Sequence, residues 1–277
     1  MADSLFAPGF KKHPWWWEAA LGALLLTLSV PAWAAPSDAV QQLAPEGTLR
    51  AAINFGNPVL AQRPEAGGEA RGVSVALAKE LGRELGVPVK LVFYNEAGLV
   101  PAALKDKAWD IAFLAIDPVR AKDIGFTAAY VEIEGAYLVT ESSPLRSVDE
   151  VDQPGHRIAA AVGSAYDLYL TRALKHAELL RFADTGAATE AFETQHLDAL
   201  AGVKQPLVAY AAAHPGTRVL PGRFMAIEQA MGMPQGRPAG LAYLRGFVER
   251  MKASGFVGKA LADTGQDSSA VAPAAPQ

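Results

Sequence analysis

Short apolar runs alternate with amphipathic helical patterns along this chain, and the alternation runs through twice. Leu49 to Ile53 is a strand-like run. Val73 to Leu85 sets Leu77, Ala78, Leu81 and Leu85 on one helical face and stops at Gly86 and Pro88. Val89 to Phe93 follows as a strand and Leu99 to Lys105 as a helix. Asp110 to Ile116 (DIAFLAI) then reads as a parallel strand covered on both faces. The order βαβαβ predicts a parallel sheet with ligands at the carboxyl ends of its strands.

The pattern restarts with strands at Ile133 to Thr140, Ile158 to Val162, Leu179 to Phe182 and Ala199 to Val203, and helices at Ser164 to Ala177, Ala187 to Thr194 and Leu207 to Ala213. Met225 to Met233 is again strand-like, and the helical pattern from Ala239 to Ala253 is expected to pack back on the first unit. These readings predict two α/β lobes. The first comprises 48–140 with 225–263, the second 141–224, after a leader at 35–47 and before a small, polar tail at 264–277 expected to be disordered. Strands that cross between lobes without a long linker leave a cleft, where small ligands bind.

Residues 1–34 read as a secretory signal peptide. Lys11 and Lys12 precede an apolar run from Ala19 to Val30, and Ala32-Trp33-Ala34 supplies the small residues of a cleavage site. The run is too short for a membrane span, which needs about 20 residues. Removing the segment leaves the net charge at −4, its value for the whole chain, so nothing electrostatic suggests nucleic acid. The chain has no cysteine, which removes disulfides, thiolate metal sites and thiol nucleophiles. His156, His176, His196 and His214 lie about 20 residues apart without metal-ligand spacing, and neither a metal nor a cofactor is expected.

Several segments together resemble the periplasmic solute-binding proteins of family 3, which serve ABC importers of polar amino acids and related acids. They are Arg71-Gly72-Val73 with its Leu-Ala helix, Gly98-Leu99-Val100-Pro101-Ala102-Ala103-Leu104, Trp109-Asp110-Ile111-Ala112, the stretch from Asp117 to Tyr130, and Val162-Gly163-Ser164-Ala165. The resemblance spans roughly Thr48 to Ala262. It implies a two-lobed fold of two α/β sheets joined by a two-crossing hinge, a small carboxylate ligand in the cleft, a membrane permease as partner, a monomer, and a periplasmic location.

Carried onto this sequence, the resemblance makes Arg120 the receiver of the ligand carboxylate, a role suited to a planar, permanently charged fork. The structural alternative is a surface ion pair with Asp123. Gly163, Ser164, Ala165 and Tyr166 match a loop whose amides face the ligand at a helix N-terminus, while Ser164 and Asp167 also form a capping pattern. Asn54, Phe55 and Asn57 follow the first strand, where an aromatic ring and directional hydrogen bonds are expected, although Asn-Pro and Gly also explain a turn. Asp117 before Pro118 reads as a cap.

Two departures bear on the ligand. Ala115 stands where a hydroxyl often assists the carboxylate, and Val203 stands where a carboxylate would meet an amino group. Glu96 or Gln205 is then the replacement acceptor, or the ligand is an acid without a free α-amino group. Competing readings are a periplasmic enzyme on the same fold, similar to cyclohexadienyl dehydratases and using Glu96 or Glu134 as general acid, and a ligand-sensing subunit. The hinge is expected near Val139–Glu141 and Arg223–Met225.

Overall fold

The computed structural model describes residues 35–64 and 68–276, and the expected signal peptide lies outside them. In the first lobe, β1 (Leu49–Asn54) pairs in parallel with β2 (Val89–Tyr94) and β3 (Ile111–Ala115). The alternation of side chains across the pleat, with both faces covered, explains why β3 is apolar throughout and β1 is apolar from Ala51 to Ile53. Ala51, Ile53, Ile111, Phe113 and Ala115 enter one core with α2 (Val73–Leu85), whereas Ala52, Ala112 and Leu114 enter another with Val100 and Trp109. Helix α2 ends where sequence places its end, because Gly86 takes the left-handed cap at φ 69°. The second helical pattern forms as a single turn, α3 (Leu99–Ala102), continued by a 3₁₀ turn.

The second lobe repeats the plan. Strand β5 (Arg157–Ala161) pairs in parallel with β6 (Glu178–Phe182) and β7 (Ala199–Val203), with α4 (Ala165–Ala173), α5 (Thr185–Thr194) and α6 (Lys204–Ala213) against them. Ile158, Ala160, Ala199 and Ala201 face one core, and Ala159 and Leu200 the other. Helix α4 stops four residues short of the expected Ala177. The carboxylate of Asp152 accepts the backbone N–H groups of Lys175, His176 and Ala177 at 2.8–2.9 Å, which holds that segment out of the helix.

Two long strands join the lobes. Strand β4 (Ile124–Thr140) runs antiparallel to β9 (Met225–Pro234) from Ile124↔Pro234 to Gly135↔Met225, then continues along β7 and the short β8 (Thr217–Val219). Hydrogen bonding therefore passes unbroken through the order β2-β1-β3-β9-β4-β7-β5-β6. The two sheets expected from sequence are one sheet with a shared spine. The change of partner falls at Gly135 and Met225. A Cβ on Gly135 would come within 2.7 Å of the Met225 side chain and 3.0 Å of the Phe224 ring. Only the second of the two segments expected to form the hinge coincides with this crossing.

Helix α7 (Pro238–Ala253) does pack on the first lobe, through Leu244, Phe247 and Val248. The leader is helical as α1 (Ser37–Leu43) and is tied to α7 by the Gln42 side chain, which accepts Gly240 N–H at 2.9 Å. After α8 (Phe256–Ala262), which sequence reading did not separate, the tail is ordered, against expectation. Val271 bridges Val131, Ala272 N–H donates to Tyr130 O at 3.1 Å, and the Lys252 ammonium donates to Pro273 O at 2.7 Å. The composition of the tail is that of a free end, but its backbone completes hydrogen bonds that β4 leaves open.

Candidate functional site

The carboxyl ends of the parallel strands of both lobes converge on one cavity, which holds about 430 Å³ of empty space, its mouth included. The first lobe lines it with Asn54 and Asn57 after β1, Glu96 after β2, and Ala115 and Arg120 after β3. The second lobe adds Ser164, Ala165 and Tyr166 at the start of α4 and Val203 at the end of β7.

Arg120 sits in a 3₁₀ turn after β3, and its side chain is 4% exposed. Its Nη1 donates to Ala115 O at 3.0 Å and its Nη2 to Gly163 O at 2.9 Å, so the guanidinium bridges the lobes. Nε is buried and has no hydrogen-bond partner among the described residues. The alternative pairing with Asp123 is not made: both contacts of the guanidinium are backbone carbonyls. Burial lowers the Arg120 pKa to about 10, with nearby Asp117 opposing the shift, so the group stays charged at neutral pH. A cation of this kind, with an N–H group unused, needs an anionic oxygen to complete its shell.

The start of α4 supplies neutral donors. Ser164 Oγ accepts Asp167 N–H at 3.0 Å and Asp167 accepts Gly163 N–H at 2.8 Å, so the capping pattern read from sequence is formed. The N–H groups of Ala165 and Tyr166 make no backbone hydrogen bond, and both residues line the cavity. Helix polarity favours negative charge at that point. Asn54 and Asn57 both serve turns, their Oδ1 atoms accepting Gly56 N–H at 2.9 Å and Val59 N–H at 3.2 Å, and both still face the cavity with their neighbours.

Three expected residues stand elsewhere. Phe55 stacks on Phe93 at 4.9 Å under the Arg63 guanidinium and lines a separate depression at the cleft mouth, because the β1 turn aims it away from Arg120. Gln205 is exposed on α6, since that helix starts at once after β7 and carries the side chain outward. Gly163 lies beside the cavity and contributes its carbonyl to Arg120; there it abuts Gly98, and a Cβ on Gly163 would fall 2.8 Å from Gly98 Cα. Asp117 caps its turn through Val119 N–H at 2.8 Å, and its second oxygen accepts Arg172 Nη2 from α4 at 2.7 Å, a second polar tie between lobes.

Glu134 pairs with Lys204 at 2.5 Å and does not line the cavity, which removes one of the two general acids considered. Glu96 does line it. Its Oε1 is 3.5 Å from Thr185 N–H across the cleft, and it has no ion-pair partner among the described residues. Desolvation raises its pKa, the Thr185 amide opposes this, and Asp184 adds to it. Sequence reading missed Gln229, a buried polar side chain of β9 on the cavity wall beside Ile227. A glutamine among mostly apolar residues of the strand-like run was the available signal.

The bacterial extracellular solute-binding proteins, family 3, match residues 49–263. No curated protein sequence matches. Among solved structures, the solute receptor for L-cysteine of Neisseria gonorrhoeae is 22% identical with a TM-score of 0.70, covering 81% of this chain and 92% of its own. A mutant of ArgBP from T. maritima is 21% identical with a TM-score of 0.68, covering 81% and 98%. The ancestral amino acid-binding protein AncCDT-1, a precursor of cyclohexadienyl dehydratase, is 23% identical with a TM-score of 0.66, again covering 81% and 98%. These similarities show the two-lobed fold.

Proposed function

Because the chain belongs to the bacterial extracellular solute-binding proteins of family 3, we propose that it is exported to the periplasm, captures a small carboxylate between its lobes and delivers it to an ABC importer. The observation that carries this reading is Arg120, a buried guanidinium whose Nε has no hydrogen-bond partner among the described residues, beside the unbonded amides of Ala165 and Tyr166. A carboxylate set between them takes charged donors from the first lobe and helix-start donors from the second. Each lobe then gains its contacts only when the cleft is shut, so binding shifts an open–closed equilibrium about the crossing at Gly135 and Met225.

A thermal-shift screen of the purified exported protein against amino acids, 2-hydroxy acids, 2-keto acids, neutral sugars and simple amines tests this. A ligand at 100 times its dissociation constant adds about 2.7 kcal/mol of stability. A panel in which carboxylates give no shift, while neutral sugars or amines do, rejects the reading. The enzyme reading keeps one supporting feature, the desolvated Glu96 carboxyl on the cavity wall. Product analysis after incubating the protein with a hydroxylated cyclic carboxylate separates the two, since a binding protein returns its ligand unchanged.

A further inference from the structure

A row of backbone pairings crosses the first lobe from its edge to the cavity. Val271 of the tail bridges Val131 of β4, Val131 pairs with Gln229 of β9, and Gln229 pairs with Ala115 of β3. Gln229 and Ala115 line the cavity, and the carbonyl of Ala115 accepts Arg120 Nη1 at 3.0 Å. The row passes through the least regular part of the sheet. The register of β4 with β9 shifts between Phe126 and Ala129 and again between Ala129 and Val131, so pairing with β9 alone leaves room for a slip there. On its other side β4 has β7 beside it only from Gly135 to Leu138. The tail takes the edge that remains. Ala272 N–H donates to the carbonyl of the fully buried Tyr130 at 3.1 Å, and the Lys252 ammonium, on a side chain 5% exposed, donates to Ala129 O at 3.0 Å and Pro273 O at 2.7 Å. Glu249 completes the node, with one carboxylate oxygen 2.8 Å from that ammonium and the other accepting Ala275 N–H at 3.2 Å. The carbonyls of Ala129 and Tyr130, which lie at the second register shift, are thus held from the outer edge.

We propose that the C-terminal tail is a positioning element for the cavity: by pinning β4 at its bulge it fixes the register that sets Gln229 in the wall and aims the Ala115 carbonyl at Arg120. This rests on the cavity being the binding site and adds a segment outside the cavity that sets its shape. The tail acts through the strands and not by contact with Arg120, since three pairings separate Val271 from Ala115. Its small side chains suit this role, because what it contributes to β4 is backbone hydrogen bonding.

The test is amide hydrogen exchange and NMR on the purified exported protein with no compound added, comparing wild type, Ala272→Pro, Ala272→Ser and a chain ending at Gln266. Proline at 272 removes the donor to Tyr130 O, and Val271, at φ −59° and ψ 124°, already has the extended backbone that a residue before proline needs. In Ala272→Pro the amides of 129–131 and 227–231 are expected to exchange about 2- to 10-fold faster, the range of one hydrogen bond. Those of β5 and β7 should keep wild-type rates, and the Arg120 Nε–H resonance should shift. Ala272→Ser, which keeps the N–H, should match wild type, and the chain ending at Gln266 should show the proline pattern enlarged. Equal acceleration in both lobes overturns the inference by making the tail a source of general stability, and so does no acceleration at all. An Arg120 resonance that stays in place while β4 accelerates also overturns it, as does a serine variant that behaves like the proline one. If the shortened chain does not fold, Ala272→Pro alone decides. These readouts need no bound compound, so they stand apart from the carboxylate reading, which the screen of wild type described above accepts or rejects by itself.

Discussion

At the amino ends of its central strands the first lobe sets Arg50 Nε and Nη2 on the buried Asp110 carboxylate at 2.9 Å, and Asp110 also accepts Arg50 N–H. The second lobe repeats the device: Asp198 accepts Arg157 N–H at 2.7 Å, and Arg157 reaches the carbonyl of His196. In each lobe an acid just before the middle strand's neighbour clamps the strand at its start, away from the cavity. The carboxyl ends diverge. After β3 comes a buried, unsaturated guanidinium, whereas β7 ends in Val203. After β2 comes Glu96, unpaired, whereas after β6 comes Asp184, which caps α5 through Ala187 N–H at 2.7 Å. The same βαβαβ unit thus presents charge in one copy and backbone amides in the other. What the strands need in order to pair is repeated, and what faces a ligand is not.

The largest way to break this division is Arg120→Ala, which removes the charged donor. Loss of carboxylate affinity of about 100-fold or more is expected by calorimetry, because the partner charge is left without its donor. The unliganded protein should keep its melting temperature within a few degrees, since the guanidinium's own burial is unfavourable. Affinity retained in the variant would mean that the second lobe's amides alone hold the anion.

Next in size is Gly98→Val. Gly98 has ordinary helical φ, −66°, so a side chain there causes no backbone strain, but its Cβ would lie 3.0 Å from Val162 O and 3.2 Å from Gly163 Cα across the cleft. Affinity should fall about tenfold with small-angle scattering showing no contraction on ligand addition, the comparison being wild type, which should contract. A variant that still contracts and binds would place the lobe contact elsewhere.

Arg172→Ala removes the Asp117 tie. Arg172 is 42% exposed, so a reduction of only two- to fivefold is expected, seen as faster ligand release by stopped flow. An unchanged release rate would show that Arg120 and the glycine contact alone hold the lobes together.

The smallest effect concerns Glu96 without ligand. A carboxyl whose folded pKa is raised binds protons more readily folded than unfolded, so stability is greatest below the ordinary carboxylate range and declines as pH rises through the folded pKa. Facing it are the Thr185 amide, Asp184 and, at the mouth, Arg63. Glu96→Gln should therefore raise the melting temperature slightly at pH 7, and the gain should vanish toward pH 4. A gain that persists at low pH would assign the effect to packing.

Much of the architecture was legible because burial on both faces makes β3 and β7, β1 from Ala51 to Ile53, and β5 after Arg157 short apolar runs, a signal that survives without context. The first half of β4 was not legible. Its register with β9 shifts between Phe126 and Ala129 and again between Ala129 and Val131, which erases the two-residue period. The residues lining the cavity that were named in advance lie at strand ends and helix starts, where local motif and position coincide. Gln229 and the Gly98–Gly163 contact were hidden because each owes its place to a neighbour far along the chain: Gln229 pairs with Ala115 and Val131, and Gly98 meets a loop of the other lobe. The tail misled because its small residues describe side chains, and its order comes from backbone hydrogen bonds.

The pairing of β4 with β9 also bears on the order of events as the chain folds. Ile124 must wait for Pro234, and Ala112 for Gly232, before β9 fills the place between β3 and β4. The second half of the sheet, built from residues 135–219, lies between those partners and pairs within itself. That contiguous segment has the shorter loops to close, and closing it draws Gly135 toward Met225. On loop-closure grounds the half of the molecule that carries the charged residues of the cavity is expected to assemble last, since β9 lies more than a hundred residues after the β3 strand it joins.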